Sequence, residues 1–146
     1  MNKPNETEQL PTYAELNDLR FLPWHIRQLS RRIAEIESRA LPQSPKTDGI
    51  TGGGSADGNT IERTVEAAEK HKQALEVLKA DYEHRRNSTE AKIYAISNEY
   101  VKTILIARFI NNYTWRRVAR EIGGGNTAEG VRKACMRYLV NNSQNN

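Results

Sequence analysis

The side chains in this sequence that are best suited to binding chemistry are the basic ones near its C-terminal end. Residues 99–146 carry eight Lys and Arg against three Glu, whereas residues 1–98 carry fourteen basic and fifteen acidic side chains. A positive field confined to one short segment is typical of a surface that binds phosphate groups, and a solvated basic face is the alternative. The last third of the chain is therefore the candidate for contact with nucleic acid.

A short helix is predicted to hold the first group of these side chains. Apolar residues recur at helical spacing over residues 115–122, which predicts a helix there. Thr114 precedes it and is a suitable N-cap residue. The apolar residues are Trp115, Val118, Ala119 and Ile122, and the basic residues that point elsewhere are Arg116, Arg117 and Arg120. Trp115 is expected to serve in packing, since it falls on the apolar face.

A second basic helix is predicted to follow a sharp turn. Three glycines, residues 123–125, allow positive φ, and Asn126 with Glu129 forms a capping box that opens a helix ending at Leu139. The residues expected to pack inward are Val131, Cys135 and Tyr138 or Leu139. The residues expected to face outward are Thr127, Ala128, Gly130, Arg132, Lys133, Met136 and Arg137.

Two short helices joined by a glycine turn, the second of them basic, are typical of a helix-turn-helix module that binds double-stranded DNA. The major groove admits one α-helix, and the first turns of that helix lie closest to the base edges. Arg132 and Lys133 are therefore the first candidates for base or phosphate contact. The full predicted DNA-binding set is Thr114, Arg116, Arg117, Arg120, Asn126, Thr127, Ala128, Glu129, Gly130, Arg132, Lys133, Met136 and Arg137.

Upstream, the sequence predicts a long helix with one apolar seam. Thr12 and Glu15 form a capping box that opens this helix at Tyr13, and Pro23 is expected to kink or interrupt it near residues 21–22. The seam repeats every 3.5 residues, as in a coiled coil, and consists of Leu19, Leu22, Ile26, Leu29, Ile33, Ile36 and Ala40.

A second long helix is predicted from Thr60 to about Arg86, after a flexible glycine-rich loop at residues 42–59. Its weaker stripe consists of Ile61, Val65, Ala68, Leu75, Leu78 and Tyr82. The two helices can close as an antiparallel hairpin within one chain, or the first seam can pair with that of another subunit. Residues 87–90 either begin a new helix or continue the second one. From residue 89 onward one helical apolar face is predicted up to residues 109–110, formed by Ile93, Ile96, Tyr100, Ile104 and Ala107.

The predicted fold class is therefore all-α. Its expected parts are a flexible N-terminus (1–12), a helical hairpin (13–87), a helix-turn-helix module (88–140) and a disordered tail (141–146). One Cys and three scattered His predict no disulfide and no metal site, and no catalytic constellation or cofactor motif is visible, so an enzyme is not expected. No apolar run approaches the ~20 residues needed to span a bilayer, which favours a cytoplasmic protein.

The segment from Tyr100 to Leu139 (YVKTILIARFINNYTWRRVAREIGGGNTAEGVRKACMRYL) resembles region 4 of sigma factors. The whole layout, a helical hairpin with a glycine-rich loop before such a module, is similar to small phage and prophage transcriptional regulators of Gram-positive bacteria. The resemblance implies that residues 114–122 form the supporting helix and that residues 126–139 form the recognition helix, which meets a promoter element. It also implies a bacterial host cytoplasm and contact with RNA polymerase.

The leading hypothesis is a sequence-specific, phage-type transcriptional regulator whose N-terminal helices form a homodimer or bind another protein such as RNA polymerase. A DNA-packaging recognition subunit is the first alternative, because it would also join a DNA-binding module to a coiled coil for ring assembly. A closed ring of eight or more subunits, measured by mass, would favour packaging. The second alternative is a protein-interaction adaptor, which would bind no duplex at low salt.

Overall fold

A computed structural model describes residues 10–40 and 58–143, and all regular structure in these two ranges is helical. The elements are α1 (Tyr13–Ala40), α2 (Gly58–Tyr94), α3 (Glu99–Leu105) followed by a π-helical turn (Ile106–Ile110), α4 (Trp115–Ile122) and α5 (Ala128–Ser143). The all-α prediction is therefore confirmed. Most of the predicted glycine-rich loop, residues 42–57, lies outside the described residues, as do residues 1–9 and 144–146. None of the described helices is both long and apolar enough to cross a membrane.

The start of α1 has the predicted capping box. The backbone N–H of Thr12 donates to Glu15 Oε2 over 2.9 Å, and the backbone N–H of Glu15 donates to Thr12 Oγ1 over 3.1 Å. The predicted interruption near Pro23 is wrong, because α1 continues through this residue to Ala40. A proline removes one backbone hydrogen bond, and the apolar side chains buried on both sides of Pro23 outweigh that loss.

The second long helix runs further than its apolar stripe predicted. Residues 87–90 continue α2, which ends at Tyr94, and a short break separates it from α3. Asn98 makes this break, since its Oδ1 accepts a hydrogen bond from the N–H of Val101 over 3.1 Å. The sequence predicted one helix through this region because Ile93 and Ile96 fit the spacing of the next helix, and both are buried.

The chain divides into two compact units, and the first contains residues 24–40 and 58–80 of the described ranges. Within it, side chains from both helical segments are buried, namely Ile33, Ile36, Ala68 and Leu75. An ion pair between Lys72 and Glu37 joins the two segments. Ile61 and Val65, which the predicted stripe included, are instead 47% and 56% exposed.

The second unit contains residues 10–23 together with residues 81–143. Its core includes Leu16 and Leu19, which are 0% and 1% exposed. The chain passes from the first unit to the second between residues 80 and 81, whereas the predicted boundary lay between residues 87 and 88. The first turns of α1 therefore complete the core of the C-terminal helices. The other buried members are Ile93, Ile96, Val101, Ile104, Leu105, Ala107, Phe109, Ile110, Val118, Ala119, Val131, Cys135 and Leu139.

The last helix also extends past its predicted end at Leu139. Residues 141–143, predicted to belong to a disordered tail, form the final turn of α5. Two side chains fold back on the helix: Asn142 Nδ2 donates to the carbonyl of Tyr138 over 2.7 Å, and Ser143 Oγ donates to that of Leu139 over 2.6 Å. These bonds continue the helix beyond its apolar residues.

We expect Leu16→Ala to lower the free energy of unfolding by about 2–5 kcal/mol, because it leaves a cavity in this core. The change should unfold the C-terminal helices, although Leu16 precedes them by some eighty residues. Chemical denaturation followed by circular dichroism measures the effect. Val77→Ala, at a side chain that is 71% exposed, is the control, and equal losses for the two variants would contradict the shared core.

Candidate nucleic-acid interface

Helix α4 has the predicted bounds and the predicted cap. Thr114 Oγ1 accepts a hydrogen bond from the N–H of Arg117 over 3.2 Å, and the helix runs from Trp115 to Ile122. Its apolar face is turned into the core, where Val118 and Ala119 are buried. The three arginines predicted to point elsewhere, Arg116, Arg117 and Arg120, are all exposed.

The exposed arginines of α4 differ in how firmly they are held. The guanidinium of Arg117 lies 3.7 Å from the ring centroid of Tyr113, and its Nε lies 3.7 Å from a carboxylate oxygen of Glu121. Within the described ranges, no carboxylate lies within ion-pair distance of Arg116 or Arg120. These two side chains can therefore accept an outside anion without giving up a partner.

The turn between α4 and α5 uses positive φ at all three glycines, with values of 70°, 64° and 77° for Gly123, Gly124 and Gly125. The N–H of Gly123 closes α4 by donating to the carbonyl of Ala119 over 3.1 Å. L-residues with side chains rarely adopt this conformation, so the predicted sharp turn depends on glycine.

The predicted capping box of Asn126 and Glu129 is wrong, because Thr127 caps α5 instead. Thr127 Oγ1 accepts a hydrogen bond from the N–H of Gly130 over 3.0 Å. A Cβ atom at residue 130 would lie 3.0 Å from this same oxygen, so glycine lets the cap approach closely. The Asn126 side chain bonds to Tyr100 and Gly123, and the Glu129 side chain bonds to basic residues of its own helix.

Helix α5 separates its side chains as predicted. Val131, Cys135 and Leu139 are buried, and Tyr138 is half-buried. The exposed side of the helix carries Thr127, Glu129, Gly130, Arg132, Lys133 and Arg137, while Ala128 and Met136 are partly covered. Burial raises the pKa of the Cys135 thiol to about 11, so this cysteine stays protonated as part of the core.

The first two candidate readers share one carboxylate. Arg132 donates from Nη2 and Nε to the two oxygens of Glu129 over 2.8 and 3.2 Å, and Lys133 Nζ lies 3.7 Å from the nearer oxygen. The hydrogen bond from Arg132 holds the pKa of Glu129 below its ordinary value, so the carboxylate is ionised at neutral pH. Arg137 has no carboxylate within ion-pair distance among the residues described.

Two basic side chains of the described residues 99–143 are not exposed. Lys102 is partly covered, and Arg108 is buried. It is 8% exposed, its Nη1 donates to the carbonyl of Tyr113 over 2.8 Å, and its guanidinium lies 4.6 Å from the Trp115 ring centroid. Desolvation lowers its pKa, and nearby Arg20 adds to the effect. The basic surplus predicted from the sequence included Arg108. A count of charges does not distinguish an arginine that is packed against a tryptophan ring from one that is exposed to solvent.

Trp115 takes the packing role expected for it. Its half-buried ring meets Phe109 edge to face with centroids 6.3 Å apart, and the Arg108 guanidinium lies over the same ring. The described residues contain no cluster of three or more His, Cys, Asp or Glu side chains that could hold a metal ion.

We expect Glu129→Gln to tighten binding to a duplex of arbitrary sequence and to steepen its salt dependence by a slope of about 1, because Arg132 and Lys133 lose their internal anion. Fluorescence anisotropy across a salt series measures both. The matched control is Glu76→Gln on α2. It removes the same charge from an exposed pair, Glu76 with Lys79, whose three-residue spacing equals that of Glu129 and Arg132. Equal effects of the two substitutions would show that only net charge matters.

The exposed cations of α4 and α5, here together termed the basic surface, are Arg116, Arg117, Arg120, Arg132, Lys133 and Arg137. The flexible ammonium group of lysine and the planar guanidinium group of arginine are both suited to contacts with phosphates and base edges. Comparison of the chain with protein-family models, curated proteins and solved structures finds no match.

Proposed function

We propose that this chain is a sequence-specific, double-stranded DNA-binding protein that places α5 in the major groove. In this proposal α4, the glycine turn and α5 act as a helix-turn-helix module. The observation that carries it is the basic surface: α5 buries Val131, Cys135 and Leu139 and exposes Arg132, Lys133 and Arg137. A helix with this division can enter a groove without exposing its core.

Two kinds of contact are proposed for the basic surface. Backbone phosphates are bound by Arg116, Arg120 and Arg137. Among the described residues these arginines form no ion pair with a carboxylate that DNA binding would have to break. Arg132 and Lys133 face the base edges from the second turn of α5 and exchange the Glu129 carboxylate for acceptors in the groove. The first N–H groups of α5 have no partner within the helix and add a phosphate site.

The regulatory role is proposed from the resemblance to sigma region 4 and to phage-type regulators. In that role the helical segments 24–40 and 58–80 form a hairpin that makes a homodimer or binds RNA polymerase. The support is that Ile33, Ile36, Ala68 and Leu75 are buried between its two segments, while Ile61, Val65 and Val77 remain exposed for a partner. Regulation of transcription in a bacterial cytoplasm follows as part of the same proposal.

We expect the double change Arg132→Ala and Lys133→Ala to weaken binding to a selected duplex by at least roughly 30-fold, since two base contacts of about 1–3 kcal/mol each are lost. The selected duplex is the one that the full-length chain recovers from a random pool. Gel-shift titration measures the affinity, and circular dichroism checks that helicity is unchanged.

The matched control is Arg31→Ala with Lys70→Ala, which removes two exposed cations from the first unit and gives the same net charge. This control should bind within about twofold of the unaltered chain, because exposed charges that make no contact with the duplex are screened at physiological salt. Equal losses for the two double variants would contradict reading by α5. The absence of duplex binding by the unaltered chain at low salt would contradict the proposed function itself.

A further inference from the structure

The turn between α4 and α5, here called the glycine turn, receives a side-chain hydrogen bond from a helix that it does not join. Tyr100 Oη, on α3, donates a hydrogen bond to Asn126 Oδ1 over 3.0 Å. The same amide donates from Nδ2 to the carbonyl of Gly123 over 2.7 Å, and the Asn126 backbone N–H lies 3.3 Å from that carbonyl oxygen. These contacts form a continuous chain, here called the Tyr100–Asn126–Gly123 link.

The turn has few other restraints. All three of its glycines have positive φ, and a Cβ added at Gly123 or Gly125 would meet nothing within 4 Å. No neighbouring atom therefore restrains Gly123 or Gly125 from the side of an added Cβ, and glycine has the largest conformational freedom of any residue. Hydrogen bonds must therefore fix the angle at which α5 leaves the turn, together with the apolar contacts of the two helices.

We infer that Tyr100 is a positioning residue for DNA recognition, whose hydroxyl fixes the glycine turn through Asn126 and so aims α5 at the base edges without touching DNA. This inference rests on the proposed function. Base contacts depend on direction and distance, whereas phosphate contacts by long cationic side chains tolerate small displacements. Loss of the link should therefore lower specificity more than general affinity.

Tyr100→Phe tests the inference because it removes one oxygen atom. We expect about fivefold weaker binding to the selected duplex, in line with the loss of one exposed hydrogen bond. Binding to a scrambled duplex of the same length and composition, and the salt slope, should stay unchanged, since no cation is lost. Tyr94→Phe is the control: Tyr94 is 57% exposed, and its hydroxyl has no hydrogen bond to any described residue.

A double-mutant cycle with Asn126→Ala separates positioning from direct contact. If Tyr100 acts through Asn126, Tyr100→Phe should have no further effect on the selected duplex in the Asn126→Ala background. A full additional loss there would show that the tyrosine hydroxyl reaches DNA itself, and it would overturn the inference. An equal loss on the selected and scrambled duplexes, or no loss with Tyr100→Phe alone, would also overturn it.

A readout without DNA keeps this test independent of the proposed function. Backbone ¹⁵N order parameters of Gly124 and Gly125 in the full chain should fall in Tyr100→Phe and stay unchanged in Tyr94→Phe. If the unaltered chain selects no duplex, the proposed function fails, and these order parameters still decide whether the link restrains the turn. Unchanged values in Tyr100→Phe would overturn the inference.

Discussion

The close packing of α4 against α5 is the contact on which the proposed function depends. Val118 and Ala119 from α4 share one buried core with Val131 and Cys135 from α5. The small side chain of Ala119 lets the helices approach at their crossing. Because one face of each helix is fixed in this core, the remaining faces, with their arginines and lysine, must point outward. The direction of the positive charge is therefore a consequence of where the apolar residues lie.

The same core explains why the C-terminal helices are joined to the start of the chain. Four short helical segments after Tyr94 offer limited apolar area, and small domains bury a smaller fraction of their surface. Leu16 and Leu19 from the first turns of α1 add two fully buried side chains to that area. The partly exposed ion pair of Glu15 with Lys92, at 3.2 Å, links the first turn of α1 to the end of α2 next to these residues. Stability and proposed DNA binding thus depend on residues far apart in sequence.

Local patterns in the sequence predicted the helices well, but they did not predict the contacts between residues that are far apart in the chain. Thr12 and Thr114 were predicted as caps because capping depends on residues three positions apart. The choice between Asn126 and Thr127 depended on Tyr100, which is 26 positions away and competes for the asparagine amide. The break at Asn98 was missed because apolar spacing continues across it. Burial of Arg108 depends on Trp115 and Tyr113, and charge counting does not contain that information.

Mapping the surface of the full-length chain that meets DNA tests the account most directly. Backbone amide chemical shifts would be recorded during titration with a short duplex at low salt and again at higher salt. The account predicts shifts at residues 114–120 and 126–137 that reverse as salt rises, with little change at residues 58–80. Shifts confined to residues 58–80, or no shift at any salt concentration, would contradict a duplex-binding role for α5.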